Sequence, residues 1–112
     1  MKISEVKEIL NAQILNGEDM MDEEVFSACG SDLMSDVLAY VKNQGLLLTG
    51  LNNLQVVRTA EMMDIRAICF VRGKMPEDEI IALAKKKDMI IMTTEEPLYS
   101  ACGKLYSGGL VR

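Results

Sequence analysis

The sequence predicts an α/β fold: one compact domain with a mainly parallel sheet and helices on both faces. Short apolar runs recur at residues 46–49, 65–71 and 89–92, and between them lie stretches whose apolar residues return at helical spacing. Strands that read as continuous apolar runs are buried on both faces, and a parallel sheet needs a helical crossover between successive strands. Turn-forming residues fall where these strands end, at Gly30-Ser31-Asp32, Gly50, Gly73 and Thr93-Thr94.

The elements follow in order. Ser4 reads as the N-cap of a short helix through Leu10, with Val6, Ile9 and Leu10 on one face. Residues 12–15 suit a first strand, and the acidic stretch 16–24 reads as a loop and the most mobile part of the chain. Residues 25–29 alternate as a strand does. The next helix is marked by Leu33, Val37, Leu38 and Val41, and Asn43-Gln44-Gly45 closes it with a C-cap glycine. After the strand at 46–49, residues 54–63 are helical, with Val56, Val57, Ala60 and Met63 inward and Arg58 and Glu61 outward.

Pro76 suits a first helical position; Glu77, Asp78 and Glu79 follow it, and Lys85, Lys86 and Lys87 come last. That charge order complements the helix dipole. Pro97 opens a final helix through about Leu105, and Gly108-Gly109 ends it.

Composition narrows the chemistry. With 112 residues, 49% hydrophobic and 26% charged, the chain has the make-up of one globular domain. No apolar run approaches the ~20 residues of a membrane span, and the acidic N-terminus is unlike an export signal, so a cytoplasmic location without membrane association is expected. The net charge of −5 opposes nonspecific nucleic-acid binding. Cys29, Cys69 and Cys102 include no C-x-x-C pair and read as buried free thiols, not a disulfide framework or zinc site. Histidine is absent, which removes the commonest general acid/base near neutral pH. Neither G-x-x-x-x-G-K-[ST] nor G-x-G-x-x-G occurs. No catalytic residue, metal site or cofactor is therefore expected.

Ligands of open α/β sheets lie beyond the carboxyl ends of the strands, where helix N-termini offer free N–H groups. Four turns qualify. They supply Ser31 and Asp32; Thr49, Gly50, Asn52 and Asn53; Arg72, Gly73 and Lys74; and Thr93 and Thr94. The second offers a hydroxyl, a glycine that lets a ligand approach the backbone, and two amides; the third adds two positive charges. Together they suit a small anion. The alternative is that Gly50 only permits a tight turn and Asn52 or Asn53 only caps the following helix.

Four stretches carry a family resemblance: Gly30-Ser31-Asp32-Leu33-Met34-Ser35-Asp36-Val37-Leu38-Ala39, Leu47-Leu48-Thr49-Gly50-Leu51, Val71-Arg72-Gly73-Lys74-Met75-Pro76 and Ala101-Cys102-Gly103-Lys104-Leu105-Tyr106. They resemble the short stand-alone DRTGG-domain proteins along nearly the whole chain. Thr49-Gly50 stands where that motif has its threonine and first glycine; Leu51 replaces the second glycine, and no Asp-Arg precedes them. The resemblance implies a fold similar to the N-terminal domain of HPr kinase/phosphatase, the part without the kinase P-loop. It also implies a regulatory or ligand-sensing role and a homodimer, because similar domains accompany CBS domains and phosphotransacetylase. The expected function is a noncatalytic module binding a nucleotide or phosphorylated metabolite. The alternative is a protein-interaction or oligomerisation domain without a ligand of its own.

Overall fold

A computed structural model describes residues 1–40 and 45–112. Its elements are α1 (Ile3–Leu10), β1 (Gln13–Asn16), β2 (Ser27–Gly30), α2 (Met34–Tyr40), β3 (Gly45–Thr49), α3 (Leu54–Met62), β4 (Ala67–Phe70), α4 (Asp78–Lys86), β5 (Ile90–Thr93) and α5 (Leu98–Ser107). The sheet order is β1-β5-β4-β3-β2. Strands β2 to β5 are mutually parallel, and β1 runs antiparallel along β5, placing Gln13 opposite Thr93. The expected mainly parallel α/β sheet is present.

Period-two alternation in the central strands builds a core on each face. Leu46 and Leu48 of β3, Ala67 and Cys69 of β4, and Ile90 and Met92 of β5 pack with Ile3, Val6 and Leu10 of α1 and Ala101 and Leu105 of α5. Leu47, Ile68, Phe70 and Ile91 point the other way, against Met34 and Val37 of α2, Val56, Val57 and Ala60 of α3, and Ile80 and Ala84 of α4. One apolar run thus serves two cores. At the edge, Ala28 of β2 donates its N–H to the Arg112 carbonyl at 2.9 Å, so the C-terminal residue covers part of that open strand.

Several local expectations are corrected. The N-cap of α1 is Lys2, and Ser4 lies inside the helix. Its first-turn N–H groups instead find carbonyls of the acidic loop: Ile3 donates to Glu23 at 2.9 Å and Ser4 to Met21 at 3.1 Å. The loop is therefore pinned, with a 3₁₀ turn at Glu18–Met20, and Met20 and Met21 pack against the core. Strand β2 starts at Ser27, because Val25 is engaged with the chain start: its N–H donates to the Met1 carbonyl and its carbonyl accepts from the N-terminal ammonium.

In α2 the buried positions are Met34 and Val37, whereas Leu33 and Leu38 are 58% and 43% exposed. Met34 and Val37 belong to the same core as Leu47 of β3 and Val56 and Val57 of α3. The expected inward Val41 and the Asn43-Gln44 stop lie outside the described residues, and Gly45 is the first residue of β3. Pro76 is buried two residues before α4, whose N-cap is Glu77, and Pro97 is itself the N-cap of α5. Among the described residues no helix is long and apolar enough to cross a membrane.

Candidate functional site

Because β2 to β5 are parallel, their carboxyl ends and the four predicted turns share one end of the sheet. The closest cluster there is built around Asp32. Its Oδ1 accepts a 2.6 Å hydrogen bond from the Gly50 N–H and a 3.1 Å bond from the Thr49 hydroxyl. Its Oδ2 lies 3.5 Å from Nη2 of Arg72. A backbone amide, a hydroxyl and a guanidinium from the ends of β3 and β4 thus converge on one carboxylate at the end of β2. The Gly50 N–H holds the Asp32 carboxyl below the usual carboxylate range; partial burial opposes that effect, and Thr49 and Arg72 reinforce it.

Local backbone chemistry places these groups. Arg72 and Gly73 both have positive φ, 59° and 68°, and the Lys74 N–H donates to the Val71 carbonyl at 3.1 Å, closing a turn with two left-handed central residues. Arg72 thereby carries a conformation that costs an ordinary side chain about 1–2 kcal/mol, and its side chain folds back across Gly50. A Cβ on Gly50 would overlap the guanidinium. Gly50 is outside the left-handed region, so a larger residue there would act by pushing the flexible Arg72 guanidinium aside and not by straining the turn.

The remaining predicted residues divide between scaffold and open surface. Asn52 donates from Nδ2 to the Met75 carbonyl at 3.2 Å and accepts from the Glu77 N–H at 3.4 Å, clipping the β4–α4 connection to the turn after β3. Thr93 donates to the Lys74 carbonyl and Thr94 to the Leu10 carbonyl, each at 2.7 Å. Ser31 closes a local turn on the Leu33 N–H and carbonyl. Asn53 is the N-cap of α3 without a side-chain capping bond. Among the described residues Lys74 forms no ion pair, and its side chain is exposed.

A cavity of about 160 Å³ at the same end is lined by Asn11, Gln13, Gly73, Met75, Thr93, Thr94 and Glu95. It has the scale of a phosphate group, not of the roughly 300–1,000 Å³ that encloses a drug-sized molecule. Asn11, Gln13 and Glu95 escaped the sequence reading because the antiparallel pairing of β1 with β5, which brings the first two here, leaves no local mark. Glu95 sits over Gly73, and Glu96 pairs with Lys104 at 2.7 Å. These acids flank the site, so the charges around it do not add up to a broad positive field.

A wider groove of about 620 Å³ runs along α5, lined by Ile9, Tyr99, Ser100, Gly103, Lys104, Ser107 and Gly108. It offers one cation and no converging acid–base pair. The thiols also lack the features of a nucleophile: burial pushes Cys69 up to about 12, and burial is the first cause that raises Cys29 and Cys102 as well. Among the described residues no group of three acids or cysteines is placed to hold a metal ion.

A protein-family model described as the DRTGG domain matches residues 5–106. No curated protein matches the chain. Among solved structures, the CBS and DRTGG domains of the regulatory region of Clostridium perfringens pyrophosphatase, complexed with the activator diadenosine tetraphosphate, are similar at a TM-score of 0.77 and 16% identity. That similarity covers 93% of this chain and 45% of the other, so this chain spans less than half of that regulatory region. At such identity the likeness is one of fold.

The Asp32 cluster has a pH signature. Replacing Asp32→Ala is expected to lower stability at pH 7 by about 1–2 kcal/mol, since the lost hydrogen bonds are charge-assisted but half exposed. The folded-state pKa lies below the unfolded value, so this contribution is full above about pH 4 and disappears as pH falls through the lowered folded value. Urea unfolding of both proteins from pH 7 down to pH 2.5 should show the curves converging in acid; a constant gap would contradict the assignment.

Proposed function

The chain belongs to the DRTGG domain family, and on that premise we propose that it is a noncatalytic regulatory module binding a small anionic ligand, a nucleotide or phosphorylated metabolite, at the carboxyl ends of its parallel strands. The observation that carries this reading is the convergence of the Gly50 N–H, the Thr49 hydroxyl and the Arg72 guanidinium on a single negatively charged group. An arrangement that holds a carboxylate is also suited to the oxygens of a phosphate. Lys74 supplies a second cation near the same turn, and the small cavity beside Gly73, Thr93 and Thr94 gives room for a further phosphate or hydroxyl group. The activator held by the similar regulatory region, a dinucleoside polyphosphate, belongs to the proposed ligand class.

In this reading the predicted residues have different duties. Thr49, Gly50, Arg72 and Lys74 contact the anion, with Gly73 shaping the approach. Asn52, Thr93 and Thr94 hold the loops in place through their carbonyl partners. Asn53, whose side chain makes no capping bond, borders the site and is available to the rest of the ligand, while Ser31 shapes the turn that carries Asp32.

Assembly into a homodimer is a compatible second reading, favoured by Phe26, Leu33 and Leu38, which are 49%, 58% and 43% exposed on segments beside edge strand β2. Sedimentation equilibrium at micromolar concentration is expected to return twice the chain mass, and to return the monomer mass for Leu38→Glu. A monomeric parent protein would discard this reading.

The ligand reading is tested with Arg72→Gly. Glycine accepts the left-handed conformation without strain, a gain that offsets the exposed ion pair, so stability should stay within about 1 kcal/mol of the parent. Loss of a charge-assisted contact should weaken binding at least about ten-fold. Thermal shift and calorimetric titration with ATP, ADP and pyrophosphate read both quantities, because binding to the native state raises apparent stability. Absence of any shift in the parent protein would defeat the proposal.

A further inference from the structure

The seat just described is already filled. Asp32 Oδ1 takes both the Gly50 N–H and the Thr49 hydroxyl, and Oδ2 faces Arg72. A phosphate oxygen cannot take the same N–H while that 2.6 Å bond stands, since an amide has one proton to donate. We propose that Asp32 is an internal stand-in for the ligand's anionic group, so that binding proceeds by exchange: the ligand's phosphate displaces the Asp32 carboxylate from the ends of β3 and β4. This inference rests on the anion-binding reading above and adds how that site is regulated.

Three observations make Asp32 a replaceable occupant, not a permanent strut. Its side chain is 45% exposed and its partner Arg72 44% exposed, so solvent and ligand reach both. The Arg72 contact, at 3.5 Å, is longer than the 2.7–2.9 Å of a tight guanidinium–carboxylate bond. The segment that carries Asp32 is short and lightly held: Ser31 is fixed by its N–H on the Leu48 carbonyl and by its own local turn, and α2 begins at Met34. A phosphate dianion brings more charge and more acceptor oxygens to the same three donors than the carboxylate does.

Exchange also gives the ligand a way to be reported. Leaving the seat cuts the Asp32 tie to the ends of β3 and β4, and Asp32 stands two residues before α2, beside the exposed Leu33. Ligand occupancy at β3 and β4 is thereby tied to the position of the first turn of α2, a discrete change of partner that a neighbouring domain or chain can sense. The cost falls on affinity, because a ligand meets an open seat only in the fraction of molecules where Asp32 has left it.

The test uses inorganic phosphate and pyrophosphate with the full chain, by isothermal titration calorimetry, on the parent, Asp32→Ala, Asp32→Asn and Arg72→Gly proteins. If the carboxylate fills the seat in nine molecules of ten or more, Asp32→Ala should bind about ten-fold tighter or better. Asp32→Asn, which keeps an acceptor oxygen but no charge, should fall between it and the parent. Amide resonances of residues 31–36 should shift when the parent is titrated with pyrophosphate, toward their positions in unliganded Asp32→Ala. Equal affinity of parent and Asp32→Ala, with loss in Arg72→Gly, would overturn the exchange and leave the anion site standing. Weaker binding by Asp32→Ala would also overturn it, making Asp32 a ligand contact. No binding by any of the four would remove both readings together. Thermal unfolding of each variant confirms that it is folded, and Asp32→Asn, which preserves side-chain shape, carries the comparison if Asp32→Ala unfolds.

Discussion

Everything at the candidate site depends on one constraint: the central strands are buried on both faces. Leu46, Leu47 and Leu48 are all fully buried, as are Ala67 to Val71, so no side chain in the middle of the sheet is free to meet a ligand. Apolar strands of this kind must be covered by helices above and below, and each crossover returns the chain to the same side of the sheet. Strands β2 to β5 therefore run the same way, and their polar ends collect at one edge. The candidate site therefore lies at the ends of these strands and not along them.

The strand ends then face a problem of hydrogen-bond satisfaction. After β2, β4 and β5 the next N–H, of Ser31, Val71 and Thr94, is accepted by a carbonyl of the neighbouring strand, whereas the Gly50 N–H after β3 must find another partner. The side chains of Asn52, Thr93 and Thr94 donate to carbonyls around this rim and tie its segments together. Gly50 is answered by Asp32, across from the next strand. A carboxylate in that role differs from a carbonyl: it carries charge, attracts Arg72, and can be exchanged for another anion. The half-exposed ion pair itself contributes little to stability.

Residues 46–49, 65–71 and 89–92 announced their strands because burial on both faces writes an uninterrupted apolar run. The charge order of α4 announced that helix for a similar local reason. The buried face of α2 was legible only in part: Val37 is buried as its spacing suggested, but Met34 is its buried companion while Leu33 and Leu38 are exposed. Nor was the pinning of the acidic loop, because Met21 and Glu23 cap α1 through their carbonyls and not their side chains. At the site, the sequence named Asp32, Thr49, Gly50 and Arg72 but gave no hint that the first would occupy the other three. That arrangement depends on a left-handed Arg72 folding back across Gly50, a tertiary fact with no one-dimensional signature.

The central claim is that the ends of β3 and β4 form an anion seat filled by Asp32 until a ligand takes its place. A crystal structure of the protein grown with tungstate, a tetrahedral oxyanion located by its anomalous scattering, tests this most directly. The account predicts a tungsten peak with oxygens in hydrogen-bonding distance of the Gly50 N–H and the Arg72 guanidinium, and the Asp32 side chain turned away. Tungstate bound elsewhere, with Asp32 still on Gly50 and Thr49, would contradict it.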